Sequence, residues 1–451
     1  MKRYGSYKAT KYTWLTEVPS HWKTQTLRSL TTVRSERRGE KEATLLSVYR
    51  EYGVIIKSSR NDNHNVESED LSNYKVVHKG DLVMNKMKMW QGSLGISNLD
   101  GVVSPAYIVC HINDATLNLR YLHTLLRSPL FKTYYNQFSY GVRVGQWDMH
   151  YEDFKGLEIS IPPRDEQDQI VRYLDWQVSK INRLIAAKRK QIQLLKERQK
   201  TRIAHIVQCG LDDNAVTRDS GIEYIGIVPS HWLVLQNRRL FHSMNRIFQG
   251  TPTVLSLSQK DGLIPYSEMS ERSLHTSSYE NWQLVHENDL VLNRFKAHLG
   301  VFFASKYEGI VTFHYGVYEP RKPLVAKYYE ALYHTSSYCR VYAGQSRGMT
   351  VGLQNLSDTN FYSTYTVYPP YEEQVEIVSE ISRIEKQHSQ IIASIVSQIE
   401  MLQDLRTRLI SDVVTGQIDV RGIEVPDYEH CDEAPENAAE ESSDADYDTE
   451  E

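Results

Sequence analysis

Chemistry in this chain gathers in two short loops of each half. Lys86, Lys88, Trp90 and Gln91 fall within six residues of a glycine-punctuated segment, and Arg294, Lys296 and His298 occupy a matching segment further on. A second loop, Tyr140-Gly141-Val142-Arg143-Val144-Gly145-Gln146-Trp147, has a counterpart running from Gln345 through Arg347 to Gln354. Ammonium and guanidinium groups neutralise phosphates. Arg forks to guanine O6 and N7, and Gln to adenine N6 and N7. Lys86, Lys88, Trp90, Gln91, Arg143, Gln146, Arg294, Lys296, His298, Arg347 and Gln354 are therefore candidate contacts to double-stranded DNA. The plainer reading of any one of them is a solvated basic loop, since phosphate contacts outnumber base contacts. Arg34, Arg37 and Arg38 form another basic run, read as tracking phosphates or staying solvated rather than reading bases.

The parts of a self-contained enzyme are missing from the sequence. It has no Gly-rich phosphate loop ending in Gly-Lys-Ser/Thr and no GxGxxG after a strand. It has no Asn/Asp-Pro-Pro-Tyr/Phe run, which amino-methyltransferases look to share. Ile161 and Tyr368 precede its two Pro-Pro pairs, and neither accepts an adenine amino proton. It has no HExxH or other close metal set. The 16 histidines are scattered, and His21 and His231 read as structural. The expectation is a chain with no catalytic residue, no metal and no cofactor of its own.

The chain has 451 residues, enough for two to four folding units. Its 40% apolar and 24% charged residues are a globular balance. No apolar run reaches the roughly 18–20 residues that span a bilayer. The N-terminus has positive charges without an apolar stretch behind them, so it does not read as a secretory signal. Cys110, Cys209, Cys339 and Cys431 stand far apart, which indicates neither a zinc ribbon nor a disulfide framework. A cytoplasmic protein is expected. The net charge of −5 hides an asymmetry: residues 427–451 hold 12 acidic residues and no Lys or Arg, leaving 52 basic against 45 acidic groups in the body. Such a tail is expected to be disordered. It reads as solubilising or, more sharply, as a competitor with DNA for the basic body. Tyr is also abundant, at 30 residues against 10 Phe, and serves equally well against bases or in strands.

The chain is written twice. Val18-Pro19-Ser20-His21-Trp22 recurs as Val228-Pro229-Ser230-His231-Trp232. Asp81-Leu82-Val83-Met84-Asn85-Lys86 recurs as Asp289-Leu290-Val291-Leu292-Asn293-Arg294, and Gly101-Val102-Val103 as Gly309-Ile310-Val311. Pro162-Pro163-x-x-Glu166-Gln167 recurs as Pro369-Pro370-x-x-Glu373-Gln374. The offset drifts only from 210 to 207. That period is far too long for a solenoid and implies two similar domains.

Each repeat opens with a mixed α+β region of short strands. A long helix follows. In the first, Asp165 is expected to cap the helix by accepting backbone N–H groups. Leu174, Val178, Ile181, Ile185, Lys188, Ile192, Leu195, Gln199, Arg202 and Ile206 then alternate steps of four and three, a heptad seam that Gly210 stops. The second seam runs Ile381, Glu385, His388, Ile392, Ile395, Ile399, Leu402, Arg406, Leu409 and Val413, with Gly416 after it. At 1.5 Å per residue each helix is roughly 65 Å long and must find a partner. Antiparallel pairing within the chain fits better than dimerisation, because the intervening domain returns the chain. Lys188, Arg189, Lys190, Lys196, Arg198, Lys200 and Arg202 crowd the C-terminal half of the first helix, a solvated face or one that meets a DNA spacer or an acidic partner.

On these residues the chain resembles the specificity subunit of type I DNA restriction–modification systems. The carriers are the two Pro-Pro-x-x-Glu-Gln openings, the Val-Pro-x-x-Trp openings, and residues 85–95 with the Gly101-Val102-Val103-Ser104-Pro105-Ala106-Tyr107 segment. The resemblance spans residues 14–425, and the acidic tail lies outside it. The second half departs at Ala297-His298-Leu299-Gly300 and at Thr312-Phe313-His314-Tyr315, so the halves are expected to read different bases.

The resemblance implies an α+β fold of two target-recognition domains joined by two long antiparallel helices, a coiled coil, in a pseudo-two-fold duplication. The expected segments are recognition domains at 1–163 and 222–370, spacer helices at 164–210 and 371–416, a linker at 211–221, and a C-terminal segment at 417–451. It further implies that each domain contacts one half of a bipartite DNA site, and that the helices bind two modification subunits. Those subunits carry S-adenosylmethionine and methylate adenine. Restriction subunits that use ATP and Mg join some such complexes. Two other readings stay open at this point: a self-contained DNA methyltransferase or nuclease, and a scaffold or DNA mimic that reads no bases.

Overall fold

The computed structural model describes residues 2–39, 43–50, 52–59, 71–141, 147–243, 246, 248, 252–258, 262–269, 279, 281–346 and 355–432. They divide into two compact units. Unit 1 holds the residues up to 188 together with those from 397 onward, and unit 2 holds residues 189–396. Both dividing points fall inside long helices, so each unit contains part of each helix.

Unit 1 is built on a four-stranded antiparallel sheet. Its order is Thr31–Arg34, Tyr107–Ile112, Leu82–Asn85, Leu94–Ile96. Leu82, Val83, Met84 and Asn85 are all buried, because this strand is flanked on both edges and covered on both faces. Around it stand two-stranded antiparallel pairs: Lys23–Thr26 with Glu158–Ile161, Leu46–Tyr49 with Gly53–Ile56, and Lys75–Val77 with Gly101–Val103. Helices Leu119–Leu126 and Pro129–Gln137 pack beside them, the first capped by the Asn118 side chain.

Unit 2 repeats this plan. Its sheet runs Phe241–Ser243, Tyr315–Pro320, Leu290–Asn293, Phe302–Ala304. The pairs Leu233–Gln236 with Tyr365–Tyr368, Leu255–Ser258 with Gly262–Pro265, and Gln283–Val285 with Gly309–Val311 follow in the same order. The duplication read from the sequence is therefore a duplication of topology. Much of the tyrosine is core in this unit. Tyr328, Tyr329, Tyr333, Tyr338 and Tyr342 are fully buried around Phe302 and Phe361. Their hydroxyls find internal hydrogen-bond partners: Tyr333 donates to Asn237 at 2.8 Å, and Tyr342 accepts from the Asn237 amide at 3.4 Å.

The long helices are Arg164–Cys209 and Tyr371–Val414. In unit 1, Arg406 of the second donates to Asn182 of the first at 3.0 Å. In unit 2, Ile206 and Val207 share a buried cluster with Ile377, Ile381 and Ile384. Numbering rises along one helix as it falls along the other, so they run antiparallel. The seam is buried at Leu174, Ile181, Ile185, Ile206, Ile381, Ile395, Ile399, Leu409 and Val413. Arg202 and Glu385, expected on the seam, are exposed. Asp165 also differs from expectation. The helix starts one residue earlier, at Arg164, which places Asp165 in the first turn and exposed. Among the described residues no helix is long and apolar enough to cross a membrane, and the four cysteines are free thiols.

Candidate nucleic-acid interface

In unit 1, the central strand Leu82–Asn85 leads straight into a 3-10 turn, Lys86–Gln91. Gly92, at φ +88°, ends the turn in the left-handed region, and its N–H bonds back to Met89 at 2.7 Å. Met89 is buried and pins the turn to the core, while Met87 and Lys88 are exposed. This one turn thus brings Lys86, Lys88, Trp90 and Gln91 together. Lys86 is partly held by Asp148, 3.3 Å away. Lys88 has no ion-pair partner among the described residues. The Trp90 ring meets Trp147 edge-on at 5.3 Å, and its buried indole N–H has no partner among the described residues.

Unit 2 places Arg294, Lys296 and His298 on the equivalent turn, Arg294–Leu299, after strand Leu290–Asn293. Gly300, at φ +73°, ends it, and Ala297 takes the buried place of Met89. Arg294 is half-buried and pairs with Asp358 at 2.8 Å, and the Tyr318 hydroxyl donates to the same carboxylate oxygen at 2.7 Å. Lys296 is exposed. His298 stands where Trp90 stands in unit 1. Burial, with Lys296 beside it, lowers its pKa and favours the neutral ring.

The second loops fall mostly outside the description. Arg143, Gln146, Arg347 and Gln354 lie outside the described residues. The flanks of both loops are described, and both return to the first turn. Trp147 and Asp148 touch Trp90 and Lys86, while Leu356 donates its N–H to the Arg294 carbonyl at 3.0 Å. Sequence reasoning passed over Asp148 and Asp358, which hold the first cation of each turn. No spacing or motif marks them. Of the early basic run, Arg34 contacts Asp81 at 3.3 Å and Arg37 donates to the Asn73 carbonyl at 2.7 Å, so both are engaged internally.

The repeated motifs have a different task. Glu166, on the first helical turn, is buried and accepts from Tyr4 Oη (2.6 Å), Trp22 Nε1 (3.0 Å) and His21 Nε2 (2.8 Å). Glu373 accepts from Trp232 Nε1 (3.0 Å) and His231 Nε2 (2.9 Å). Gln167 donates to Pro162 O (2.9 Å) and accepts from Asn118 N (2.7 Å). Gln374 donates to Pro369 O (2.9 Å) and accepts from Val325 N (3.0 Å). The Pro-Pro-x-x-Glu-Gln openings are thus clamps that fasten each long helix to its own unit.

The architecture is that of a two-domain α+β protein on paired helices, with a cationic turn after a central strand in each half. Residues 19–194 match the family described as the type I restriction modification DNA specificity domain. A solved chain from work on complex assembly and conformational transition of the type I R-M system is similar in fold. It is 12% identical with a TM-score of 0.58, over 89% of this chain and 99% of that one. The HsdS subunit from Thermoanaerobacter tengcongensis is 15% identical with a TM-score of 0.47, over 91% of this chain and 100% of that one.

Proposed function

We propose that the chain is the non-catalytic, DNA-reading specificity subunit of a type I restriction–modification complex. Each unit reads one half of a bipartite site. The long helices dock two modification subunits, which carry S-adenosylmethionine and methylate adenine; restriction subunits using ATP and Mg are further partners. No residue of this chain is assigned to hold either cofactor.

One observation carries this reading. The same cationic turn recurs after the same strand of both units, and in unit 1 it lies within the matched specificity domain. Lys88 and Lys296 supply exposed charge for phosphates. Gln91 offers an amide fork for adenine, and Arg294 a guanidinium for guanine once it leaves Asp358. Trp90 against His298 at one equivalent position supports two different half-sites.

The test is a methylome. The chain is expressed with its modification subunit in a methylation-free host, with the modification subunit alone as control, and modified adenines are mapped by single-molecule sequencing. A new two-part motif with a fixed spacer is expected. Soluble, co-purifying subunits that leave no new mark contradict the proposal.

A further inference from the structure

Two features stand outside the cationic turns in the sequence: the basic run on the first long helix and the acidic end of the chain. The structure suggests how they belong together. In unit 1, the residues after the second long helix lie back along the first. Asn182 Nδ2 donates to the Cys431 carbonyl (3.0 Å), Arg183 to the Glu429 carbonyl (2.9 Å), and Ser179 Oγ is 3.3 Å from the Cys431 N–H. His430, Cys431 and Asp432 thereby form one wall of a cleft of about 440 Å³, lined also by Ser128, Pro129 and Ile410.

Unit 2 has the equivalent cleft. It measures about 490 Å³, and a 207-residue offset carries Ser128, Pro129 and Ile410 onto its Thr335, Ser336 and Ile203. No extended segment lines it among the described residues. Its helix wall bears Lys196 and Lys200, both exposed and with no ion-pair partner among the described residues. Lys327 lines the opposite side and bonds to Glu330. His334 adds an Nε2 with no partner among the described residues. The face that breaks the heptad seam is the same one: Glu385 is exposed because it edges this cleft rather than packing a core.

We infer that the unit 2 cleft is a docking groove for an acidic extended peptide, and that its occupant is residues 433–451 of this chain. That segment has nine carboxylate side chains and no Lys or Arg. It starts directly after the residues seated on the first long helix, and Lys196 and Lys200 stand further along that helix. An extended peptide covers about 3.3 Å per residue against 1.5 Å for a helix, so the segment outruns the stretch of helix it must follow. Unit 1 shows the mode of binding, with peptide carbonyls taken by polar side chains of the helix. In unit 2, lysines add charge complementarity. The docked tail then covers the basic helix face. This inference concerns a groove apart from the DNA-reading turns and stands whether or not these read bases.

Zero-length carbodiimide cross-linking of the full chain, followed by peptide mapping, tests it. Links from the carboxylates of residues 433–451 are expected chiefly at Lys196, Lys200 and Lys327. They should fade at about 1 M salt, where the Debye length falls to about 3 Å. Lys200→Glu, an exposed change that leaves the fold alone, should cut the links to Lys196 and Lys327 by about fivefold, roughly 1 kcal/mol of lost attraction. Lys200→Arg should keep them. Links mainly to Lys88 or Lys296, links only between two copies of the chain, links unchanged by Lys200→Glu, or no tail links at all would each overturn the inference.

Discussion

The indole N–H of Trp22 donates to the Glu166 carboxylate at 3.0 Å, across 144 residues of sequence. This bond joins the two motifs that recur most clearly in the chain, and Trp232 with Glu373 repeats it at 3.0 Å. Glu166 also accepts hydrogen bonds from Tyr4 and His21, and its side chain is only 5% exposed. Glu166→Ala leaves the buried Tyr4 and Trp22 donors unpaired, at a cost of about 1–3 kcal/mol each, while the exposed His21 turns to water. The variant should unfold at clearly lower denaturant than the parent. Glu373→Ala should cost less, because that side chain is 23% exposed and has one buried donor, Trp232, rather than two. Denaturation of both variants, followed by tryptophan fluorescence, checks the order.

Gly416 ends the second long helix at φ +75° and packs on the same tryptophan. A Cβ there would lie 2.4 Å from Pro19 Cδ and 2.9 Å from the Trp22 ring. Gly416→Ala therefore combines left-handed strain with a clash and should destabilise unit 1 by about 2 kcal/mol or more. Gly226, at φ +69°, has open space around it, so Gly226→Ala should cost only about 1 kcal/mol. Equal losses in thermal unfolding would contradict this packing.

Burial pushes the His123 pKa down to about 4, with Arg127 adding to the effect; its Nδ1 accepts the Ile96 N–H at 3.1 Å. The unfolded imidazole titrates near 6.5. Between these values the unfolded chain binds a proton that the folded chain does not. Stability contributed by neutral His123 is thus full above about pH 6.5 and declines as pH falls toward 4, by about 3 kcal/mol at most. Unit 2 has Glu330 at this position, accepting the Ala304 N–H at 2.9 Å. His123→Gln should flatten the pH dependence of unfolding in this window; an unchanged slope would contradict the assignment.

Lys88→Ala should weaken DNA binding about equally for all sequences and reduce the salt slope by about 1, as loss of one phosphate contact does. Gln91→Ala should relax preference at one base position, by about 1–3 kcal/mol of discrimination. Titration of specific and non-specific duplexes at several salt concentrations separates the two effects.

What the sequence revealed and what it hid follow from range. Local signals were legible. The heptad seam marks Ile181, Ile185, Ile395 and Ile399 as buried, and Gly210 and Gly416 mark the helix ends at positive φ. The repeated register also placed Lys86 and Arg294 at the same point of the fold. Long-range pairings left no periodic trace. Nothing near Glu166 announces Trp22, and nothing near Arg294 announces Asp358. Tyrosine shows the limit of composition: in unit 2 its residues build the core around Phe361 rather than a base-stacking surface. Arg202 and Glu385 fit the heptad spacing, yet both are exposed.

The central claim is that each unit reads its own half of one DNA site. The most direct measurement is the methylome of two variants, Gln91→Ala and His298→Ala, each assembled with the modification subunit. The account predicts that each relaxes base preference in one half of the motif, that the two halves differ, and that the spacer stays fixed. Relaxation of the same half by both variants, or an unchanged motif from both folded and assembled complexes, would contradict it.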